Sequence, residues 1–422
     1  MRGAFRALES ANYRIWAAGA LVSNVGTWMQ RTAQDWLVLT ELTHQNATAV
    51  GIVMGLQFGP HVLLLPLTGF AADHLDRRKL VFCTQAAMGL LALGLGVLVV
   101  TGLIQLWHVY IFAFLLGCAS AFDSPARQTF VAELVDERHL PNAVGLNSTS
   151  FNAARMIGPA VAGGLIAAIG TGWVFLINAL SFLAVLGSLT LLRVDQLRRN
   201  PRAARAPGSL VEGFRYVWGR SDLKIILLML FLVGTFGLNF PIFISTMSVT
   251  VFHKGAGQYG LLTSMMAAGS VTGALLAATR ANPRMSVLLA GAALFGVGCA
   301  VAAVMPSFVL FGLALYVVGV AAQTLTTSTI SLVQISTAAE MRGRAIAILL
   351  AITLGGTPIG APIVGWVADN FGPRWALGAG AAAGLLAAAV ALIYLAQNGR
   401  ARPTQSEAAT DDDQPRIANA GR

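Results

Sequence analysis

Ionisable side chains inside long apolar segments are the feature of this sequence most able to do chemistry. Arg31 and Asp35 are four residues apart, so they share one face of a helix, and Gln34 lies beside Asp35. A charged group at the centre of a bilayer costs ~2.5–3.5 kcal/mol or more, so we expect these groups to face a cavity and to have a function. The pattern predicts that Asp35 carries a proton. The alternative is an Arg31–Asp35 ion pair that only stabilises helix packing.

A second buried cation is predicted at Arg155, near the middle of another apolar segment and close to Asn152. Burial and a neighbouring cation change the protonation of a carboxyl group in opposite directions, so the charge of Asp35 would depend on what else occupies the site. Two cations and one ionised acid leave one excess positive charge, which favours an anionic or carboxylate-bearing substrate. The alternative for Arg155 is a structural role against helix carbonyls. Asn239 and Gln323 are the predicted polar cavity positions of the second half of the chain.

Composition places these residues in a membrane protein. Of the 422 residues, 56% are hydrophobic and 11% are charged, and the mean hydropathy is +0.70, whereas about 25% of the residues of a soluble domain are charged. The net charge of +10 is compatible with nucleic-acid binding, but the basic residues lie in short loops without interleaved aromatic residues. A bias of Lys and Arg toward cytoplasmic loops explains them better, so we expect no nucleic-acid partner.

Twelve apolar runs are long enough to cross a bilayer, which takes about 20 residues of helix. They fall at about 15–41, 48–71, 80–101, 107–128, 143–168, 173–192, 223–251, 258–279, 285–304, 308–334, 344–367 and 374–396. With both termini in the cytoplasm, the outward loops contain only Lys254 and Arg374 among 28 Lys and Arg residues. Arg31 and Arg155 lie within runs, so the other 24 are cytoplasmic. This bias predicts an all-α protein with twelve spans and cytoplasmic termini.

The twelve runs form two sets of six. We predict an N-terminal six-helix bundle at 1–192, a cytoplasmic linker at 193–222, a C-terminal six-helix bundle at 223–396 and a disordered cytoplasmic tail at 397–422. Apolar residues recur at helical spacing in Ser209–Arg220, which predicts an amphipathic helix on anionic headgroups. The tail is polar and has no apolar periodicity.

A short charged turn joins the second and third runs. It follows Gly69 and includes Asp73, Arg77 and Arg78. A carboxylate at the end of a membrane helix is stabilised by a helix N-terminus or by an arginine, so Asp73 is expected to tie helices together at the membrane surface. Asp123 and Arg127, at the cytoplasmic end of the fourth run, could join Asp73 and Arg77 in one cluster. The alternative is a solvated loop that only sets the topology.

The chain repeats itself at an offset of 202 positions. Gly117, Gly158, Gly163, Gly170 and Trp173 align with Gly319, Gly360, Gly365, Gly372 and Trp375. Duplicated halves with a substrate site between them near the midplane are one architecture of secondary transporters. The segment Gly365–Asp369 also echoes Gly69–Asp73. It lies at a predicted outward position, where it either contributes to an opposite gate or only ends a helix.

The chain resembles the major facilitator superfamily over nearly its whole length, from about Asn12 to Gln397. Gly69, Ala72, Asp73, Arg77 and Arg78 match the loop motif Gly-x-Leu-Ala-Asp-Arg-x-Gly-Arg-Arg, from which His74 and Asp76 depart. Two further segments, Asn24–Trp36 and the run Asp-Ser-Pro-Ala-Arg-Gln at Asp123–Gln128, are similar to the branch that contains the enterobactin exporter and related secretion effectors. This resemblance implies two pseudo-symmetric six-helix bundles and proton-driven export of a small molecule.

The resemblance also implies roles for individual residues. The first and fifth helices are neighbours in this superfamily, which would bring Arg155 near Arg31 and Asp35. A cluster of Asp73, Arg77, Asp123 and Arg127 would latch the halves in an outward-open state.

A glycine- and proline-rich segment in the fifth helix resembles the antiporter motif of the superfamily. It comprises Gly158, Pro159, Gly163 and Gly164, with three residues between Gly-Pro and Gly-Gly where the motif has two. Pro358 occupies the matching part of the eleventh helix. Proline bends helices and small residues let them approach closely, and packing alone is the alternative explanation.

Signatures of an enzyme are absent from the sequence. There is no Gly-x-x-x-x-Gly-Lys-Ser/Thr loop, no His-Glu-x-x-His and no His/Cys pattern with zinc spacing, so we expect no catalytic site, no cofactor and no metal. A channel would need a polar stripe along whole helices. We therefore predict a monomeric, proton-coupled exporter of a small amphipathic or anionic, siderophore- or drug-like molecule in the plasma membrane. Uptake by symport and lipid flipping are the alternatives.

Overall fold

A computed structural model describes residues 5–198, 210–279, 284–338 and 341–400, apart from the side chains of residues 72, 73, 210, 211 and 398–400. These ranges form fifteen α-helices joined by short turns. The helices are α1 (Ala11–Trp36), α2 (Ala47–Leu63), α3 (Leu65–His74), α4 (Arg77–Val100), α5 (Leu106–Leu134), α6 (Leu140–Ile169), α7 (Thr171–Thr190), α8 (Leu210–Trp218), α9 (Ser221–Leu232), α10 (Phe240–Thr246), α11 (Ala256–Ala278), α12 (Met285–Val304), α13 (Phe308–Ser336), α14 (Arg342–Phe371) and α15 (Pro373–Arg400).

Ten helical segments of the described chain are long and apolar enough to span a membrane, or eleven when the bent pair α2–α3 counts as one span. The segment that remains, α1, is 26 residues long but carries Arg14, Arg31 and Asp35 among other polar residues, which lowers its apolar character. With α1 the spans number twelve. The least apolar span is therefore the one in which the sequence placed the candidate proton carrier.

Two of the predicted continuous spans are broken. The α2–α3 pair bends by 59° at Leu64, and Pro66 stands in the first turn of α3. Proline has no N–H for the preceding turn and its ring clashes there, which explains why the helix restarts. The span formed by α9 and α10 breaks at Leu238 and Asn239, and Pro241 again lies at the start of the second helix.

The duplication predicted from glycine positions extends to the helix boundaries. The starts of α5, α6 and α7 at Leu106, Leu140 and Thr171 each precede those of α13, α14 and α15 by 202 positions. The turns that follow α6 and α14 contain Gly170 and Gly372, with φ of +86° and +100°. Only glycine adopts such backbone angles without strain, so both turns require it. The two halves are thus pseudo-symmetric six-helix bundles, α1–α7 and α9–α15.

The bundles meet along two helix pairs, α2 with α14 and α6 with α11. At both contacts a glycine lies against the backbone of the facing helix. A methyl group on Gly51 would lie 2.3 Å from the carbonyl oxygen of Ala361, and one on Gly260 would lie 2.2 Å from that of Pro159. Small residues let membrane helices approach to backbone contact, so these positions set the distance between the bundles.

The molecule has two ends that differ in charge. The "basic end" contains the turns around Arg77, Arg138 and Arg220, and the "Asp369 end" contains the loops around Gln45 and Asp369. Since α1 begins at the basic end and each span reverses direction, every span runs between these two ends. The helices α2, α6 and α11, which form the contacts between bundles, are among them.

The amphipathic helix predicted in the linker forms as α8, over Leu210–Trp218. It packs on the second bundle, where Glu212 Oε2 accepts a bond of 3.0 Å from Arg344 Nη1. Arg220, just after α8, donates to the Tyr216 hydroxyl and to Asp222, and the bond to Asp222 raises the pKa of the Arg220 guanidinium. Residues 199–209 of the predicted linker and the tail beyond residue 400 lie outside the described residues. The tail was predicted to be disordered from residue 397, but residues 397–400 continue α15.

Candidate functional site

A cavity of about 260 Å³ lies between the two bundles. One wall is a face of α1, where Trp28, Arg31, Thr32 and Asp35 recur at helical spacing. The facing walls come from α2, α6, α10, α11 and α14. Most of their side chains are apolar, which is typical of sites for small amphipathic molecules.

Two arginines of the cavity wall lie against a single indole ring. The guanidinium carbons of Arg31 and Arg155 are 5.1 and 5.7 Å from the centre of the Trp28 ring, and that of Arg31 is also 5.7 Å from the Phe58 ring. Cation–π contacts of this kind stabilise a desolvated cation by ~2 kcal/mol. The rings therefore hold both cations at the cavity without neutralising their charge.

Asp35 forms its described hydrogen bond with a residue of the other bundle. Its Oδ2 accepts a hydrogen bond of 3.3 Å from the Tyr259 hydroxyl of α11, in the other bundle. Among the described ion pairs with N···O distances up to 4.0 Å, none joins Asp35 to Arg31 or to Arg155. The packing-only Arg31–Asp35 pair, which was the alternative in the sequence, is not formed.

Four polar residues that the sequence placed in the cavity are not among its lining residues. Gln34 is 1% exposed on another face of α1, where its amide nitrogen has no described partner. Asn152 and Asn239 donate to carbonyls of their own helices, at Ser148 and Thr235. Gln323 donates to Thr327 within α13. Asn152, Asn239 and Gln323 therefore use their amide N–H groups within their own segments of the chain.

The two bundles are joined at the Asp369 end. The Asp369 carboxylate accepts from the backbone N–H groups of Ala47 and Thr48, at 2.7 and 2.9 Å, and from the Thr48 hydroxyl. Thr250 also donates to the Gln45 side chain at 3.4 Å. Together with the Tyr259–Asp35 bond, these are the hydrogen bonds between bundles that the structure describes. All of them lie at the Asp369 end or at the cavity. Asp369 therefore connects the two bundles as well as lying at the end of its own helix.

At the basic end the predicted cluster is divided between two sites. Arg77 pairs with Glu133 of α5 at 2.9 Å, and Arg78 donates to the Leu189 carbonyl. Asp123 is 3.6 Å from Arg127 and also accepts from Thr84 and Gln85 of α4, at 2.8 Å each.

Both of these basic-end sites belong to the first bundle. Arg127 donates in addition to Asn24 of α1. The side chain of Asp73 lies outside the described residues, and Gly69 has open space around its Cα. In this conformation, therefore, the described members of the cluster do not tie the two bundles together.

The glycine- and proline-rich segment of α6 has two distinct faces. A methyl group on Gly158 would lie 2.6 Å from Cβ of Trp28, and one on Gly163 would lie 2.6 Å from the carbonyl oxygen of Ala256 in the other bundle, whereas one on Gly164 would meet nothing within 4 Å. Helix α6 continues through Pro159, and α14 continues through Pro358. Each proline lacks the N–H that would bond the carbonyl four residues earlier, which belongs to Arg155 in α6.

Comparison with known proteins places this arrangement in a family. The profile of the transmembrane secretion effectors matches residues 3–418. The chain belongs to this family of the major facilitator superfamily. The predicted resemblance, the twelve-helix fold and the multi-pass membrane setting are confirmed.

Two relatives of this chain are named as a transporter and an efflux pump. The staphyloferrin A transporter of Staphylococcus aureus is 27% identical over 364 residues, covering 82% of this chain and 87% of the relative. The multidrug efflux pump Tap of Mycolicibacterium fortuitum is 25% identical over 374 residues, covering 84% and 88%. A solved bacterial homolog of the human lysosomal transporter Spinster, described as inward-facing and unoccupied, superposes with a TM-score of 0.74 over 94% of this chain and 99% of its own, at 14% identity. That last likeness concerns the fold alone.

Sequence reasoning missed the residues that the second bundle contributes to the site. Tyr259 is the main one, and its ring also stacks on Trp36 with centroids 6.0 Å apart. Trp28, which contacts both arginines, lies in the segment Asn24–Trp36 but was not predicted as a site residue. The available signal was the presence of a tyrosine in the first turn of a mostly apolar helix, because a buried hydroxyl needs a hydrogen-bond partner.

Proposed function

We propose that this chain is a proton-coupled exporter that moves a small amphipathic or anionic molecule across the plasma membrane by alternating access, and that it is not an enzyme. Siderophore- or drug-like compounds fit the relatives' names, since one transports staphyloferrin A and another is a multidrug efflux pump. The proposed working unit is a monomer, because each chain has its own cavity between its own bundles.

The observation that carries the proposal is the position of Asp35. This carboxyl group is 8% exposed, lies in the wall of the cavity between bundles, and bonds to a residue of the opposite bundle. A proton on Asp35 would change both the charge of the cavity and one of the contacts that hold the bundles together. These are the two requirements for linking proton movement to a change between states.

The proposed orientation places the basic end in the cytoplasm. The Lys and Arg residues of the chain concentrate in the turns of that end, as expected for cytoplasmic loops. The conformation described is then closed toward the outside by the Asp369 contacts. In the proposed cycle a second conformation breaks those contacts and closes the basic end instead, through the cluster that includes Asp73, Arg77, Arg78, Asp123 and Arg127.

Energised membrane vesicles test the proposal. Inverted vesicles that contain the chain should accumulate candidate compounds when a proton gradient is imposed, and a protonophore should abolish the accumulation. Vesicles from cells without the chain are the control. Accumulation only in right-side-out vesicles would show uptake by symport instead, and transfer of labelled lipid alone would show a flippase. Absence of flux for every compound, including exchange without a gradient, would overturn the transport proposal.

A further inference from the structure

The cavity wall contains two cations, Arg31 and Arg155, and among the described residues neither forms an ion pair within 4.0 Å with an acid. Arg31 and Arg155 both lie on Trp28, and the electrostatic interaction between the two guanidinium groups is repulsive. Asp35 accepts a bond from Tyr259. It attracts Arg31 electrostatically, but no described ion pair brings its carboxylate within 4.0 Å of either guanidinium group. A protein that spends energy to bury two unpaired cations leaves room for a ligand that pairs with them.

The shape and lining of the cavity limit what that ligand is. A guanidinium binds carboxylate, sulfonate or phosphate oxygens through a fork of N–H groups, so two guanidinium groups suit a molecule with two acidic groups. The remaining wall includes Phe58, Phe240 and Tyr259, which favour a flat apolar part between the acids. The geometry therefore suits an amphipathic dianion.

The protonation of Asp35 changes how well such a ligand binds. The charged or titratable groups that line the cavity are Arg31 and Asp35 on α1, Arg155 on α6 and Tyr259 on α11. The lining residues from α2, α10 and α14 are uncharged. The titratable His61 of α2 lies outside this lining, beside Phe58, and interacts electrostatically with Arg31. An ionised Asp35 repels a dianion held by the two arginines, and a protonated Asp35 does not, whereas the arginines stay charged throughout.

We propose that the cavity binds an amphipathic dianion cooperatively with a proton on Asp35, so that each strengthens the binding of the other. The inference rests on the proposed function only in taking the cavity to be the substrate site. Linkage requires the effect to be reciprocal, because the proton and the dianion share one coupling free energy. A cationic ligand in the same cavity would instead compete with the proton.

Equilibrium binding to the purified full-length chain in detergent tests the inference without reference to transport. The probes are naphthalene-1,5-disulfonate, naphthalene-1-sulfonate and tetraphenylphosphonium, whose charges do not change between pH 5.5 and 8. Wild type should bind the disulfonate about tenfold or more tightly at pH 5.5 than at pH 8, within the usual range of coupling between sites. Tetraphenylphosphonium should show the opposite trend, and the monosulfonate should show a smaller change than the disulfonate.

Three variants complete the test. Asp35→Asn is predicted to bind the disulfonate tightly at both pH values, because its side chain mimics the protonated acid. Asp195→Asn, which changes an exposed carboxylate far from the cavity, should keep the wild-type pH dependence. Arg155→Gln should weaken disulfonate binding at both pH values.

The inference is overturned if disulfonate affinity in the wild type is independent of pH, is higher at pH 8, or is absent at every pH. It is also overturned if Asp35→Asn keeps the wild-type pH dependence. Each of these results leaves vesicle export as a separate question, so failure of the inference is distinguishable from failure of the proposed function.

Discussion

The hydroxyl of Tyr259 in the second bundle lies 3.3 Å from Oδ2 of Asp35 in the first, and this bond crosses the boundary between the bundles inside the cavity. The tyrosine ring is fixed by its stacking on Trp36, the residue that follows Asp35. Both partners are buried, at 1% and 8% exposure. The carboxyl group proposed to carry the proton therefore also forms one of the bonds that hold the two bundles together.

Removing the Tyr259 hydroxyl should favour opening at the Asp369 end. Tyr259→Phe keeps the stacked ring but loses a hydrogen bond to a carboxylate, worth about 1.5–3 kcal/mol, so we expect the population of the open conformation to rise at least tenfold. Spin labels at Leu103 and Val304, one exposed position per bundle at that end, would report the distance after the three native cysteines are replaced. An unchanged distance distribution would show that the bond does not contribute to closure.

The same distance measurement applies to Asp369. Asp369→Ala removes the carboxylate that accepts from the first N–H groups of α2, and loss of such a cap costs about 0.5–2 kcal/mol. We expect a shift toward the open conformation of a few-fold to about thirtyfold. Asn370→Ala is the matched control, because the side-chain bond described for Asn370 lies within its own helix, to the Trp366 carbonyl. Equal shifts in the two variants would show that the Asp369 contacts do not hold the bundles together at that end.

Two adjacent glycines of α6 provide a steric test. Gly163→Ala places a methyl group 2.6 Å from the Ala256 carbonyl oxygen of the other bundle, whereas Gly164→Ala places one in open space. The first variant should separate the bundles at the Asp369 end and slow transport at least tenfold, and the second should match wild type. Transport rates in proteoliposomes, normalised to protein that elutes as a single folded species, give the comparison. Similar rates for both variants would show that the α6–α11 contact does not need glycine.

Arg155 should determine the preference for anions. Arg155→Ala removes one of the two cations on Trp28, and we expect anionic substrates to lose about 2 kcal/mol of binding, or about thirtyfold in affinity. Arg14→Ala removes the same charge from an exposed position outside the cavity lining, and it should leave affinity for the anion unchanged. If Arg155→Ala transported an anionic compound normally and lost a cationic one, the assignment of an anion site would be reversed.

The pattern of apolar residues along the chain was sufficient to predict the fold, but it did not predict the contacts between the two bundles. The apolar runs and the 202-residue repeat predicted the twelve spans and the duplication, because both signals are local or internal to the chain. The bends at Leu64 and at Leu238 were not predicted, although Pro66 and Pro241 marked them.

For the candidate site, the sequence predicted the lining residues of the first bundle but not those of the second. The charges on α1 and α6 stood out because they lie in apolar runs, and the structure brings Arg31, Asp35 and Arg155 to one cavity. Which residue faces Asp35 depends on the packing of α11 against α6 and α1, which no local pattern encodes. Arg77 similarly bonds Glu133, an acid in a different turn of α5 from Asp123, since the helices place it there.

The most direct test of the account is substrate flux through Asp35→Asn in proteoliposomes under an imposed proton gradient, with exchange at equal pH measured in the same preparation. We predict that exchange persists, because the cavity and the moving bundles are intact, and that the gradient no longer drives accumulation. Gradient-driven accumulation at the wild-type level would contradict the claim that Asp35 links proton movement to the alternation of the two bundles.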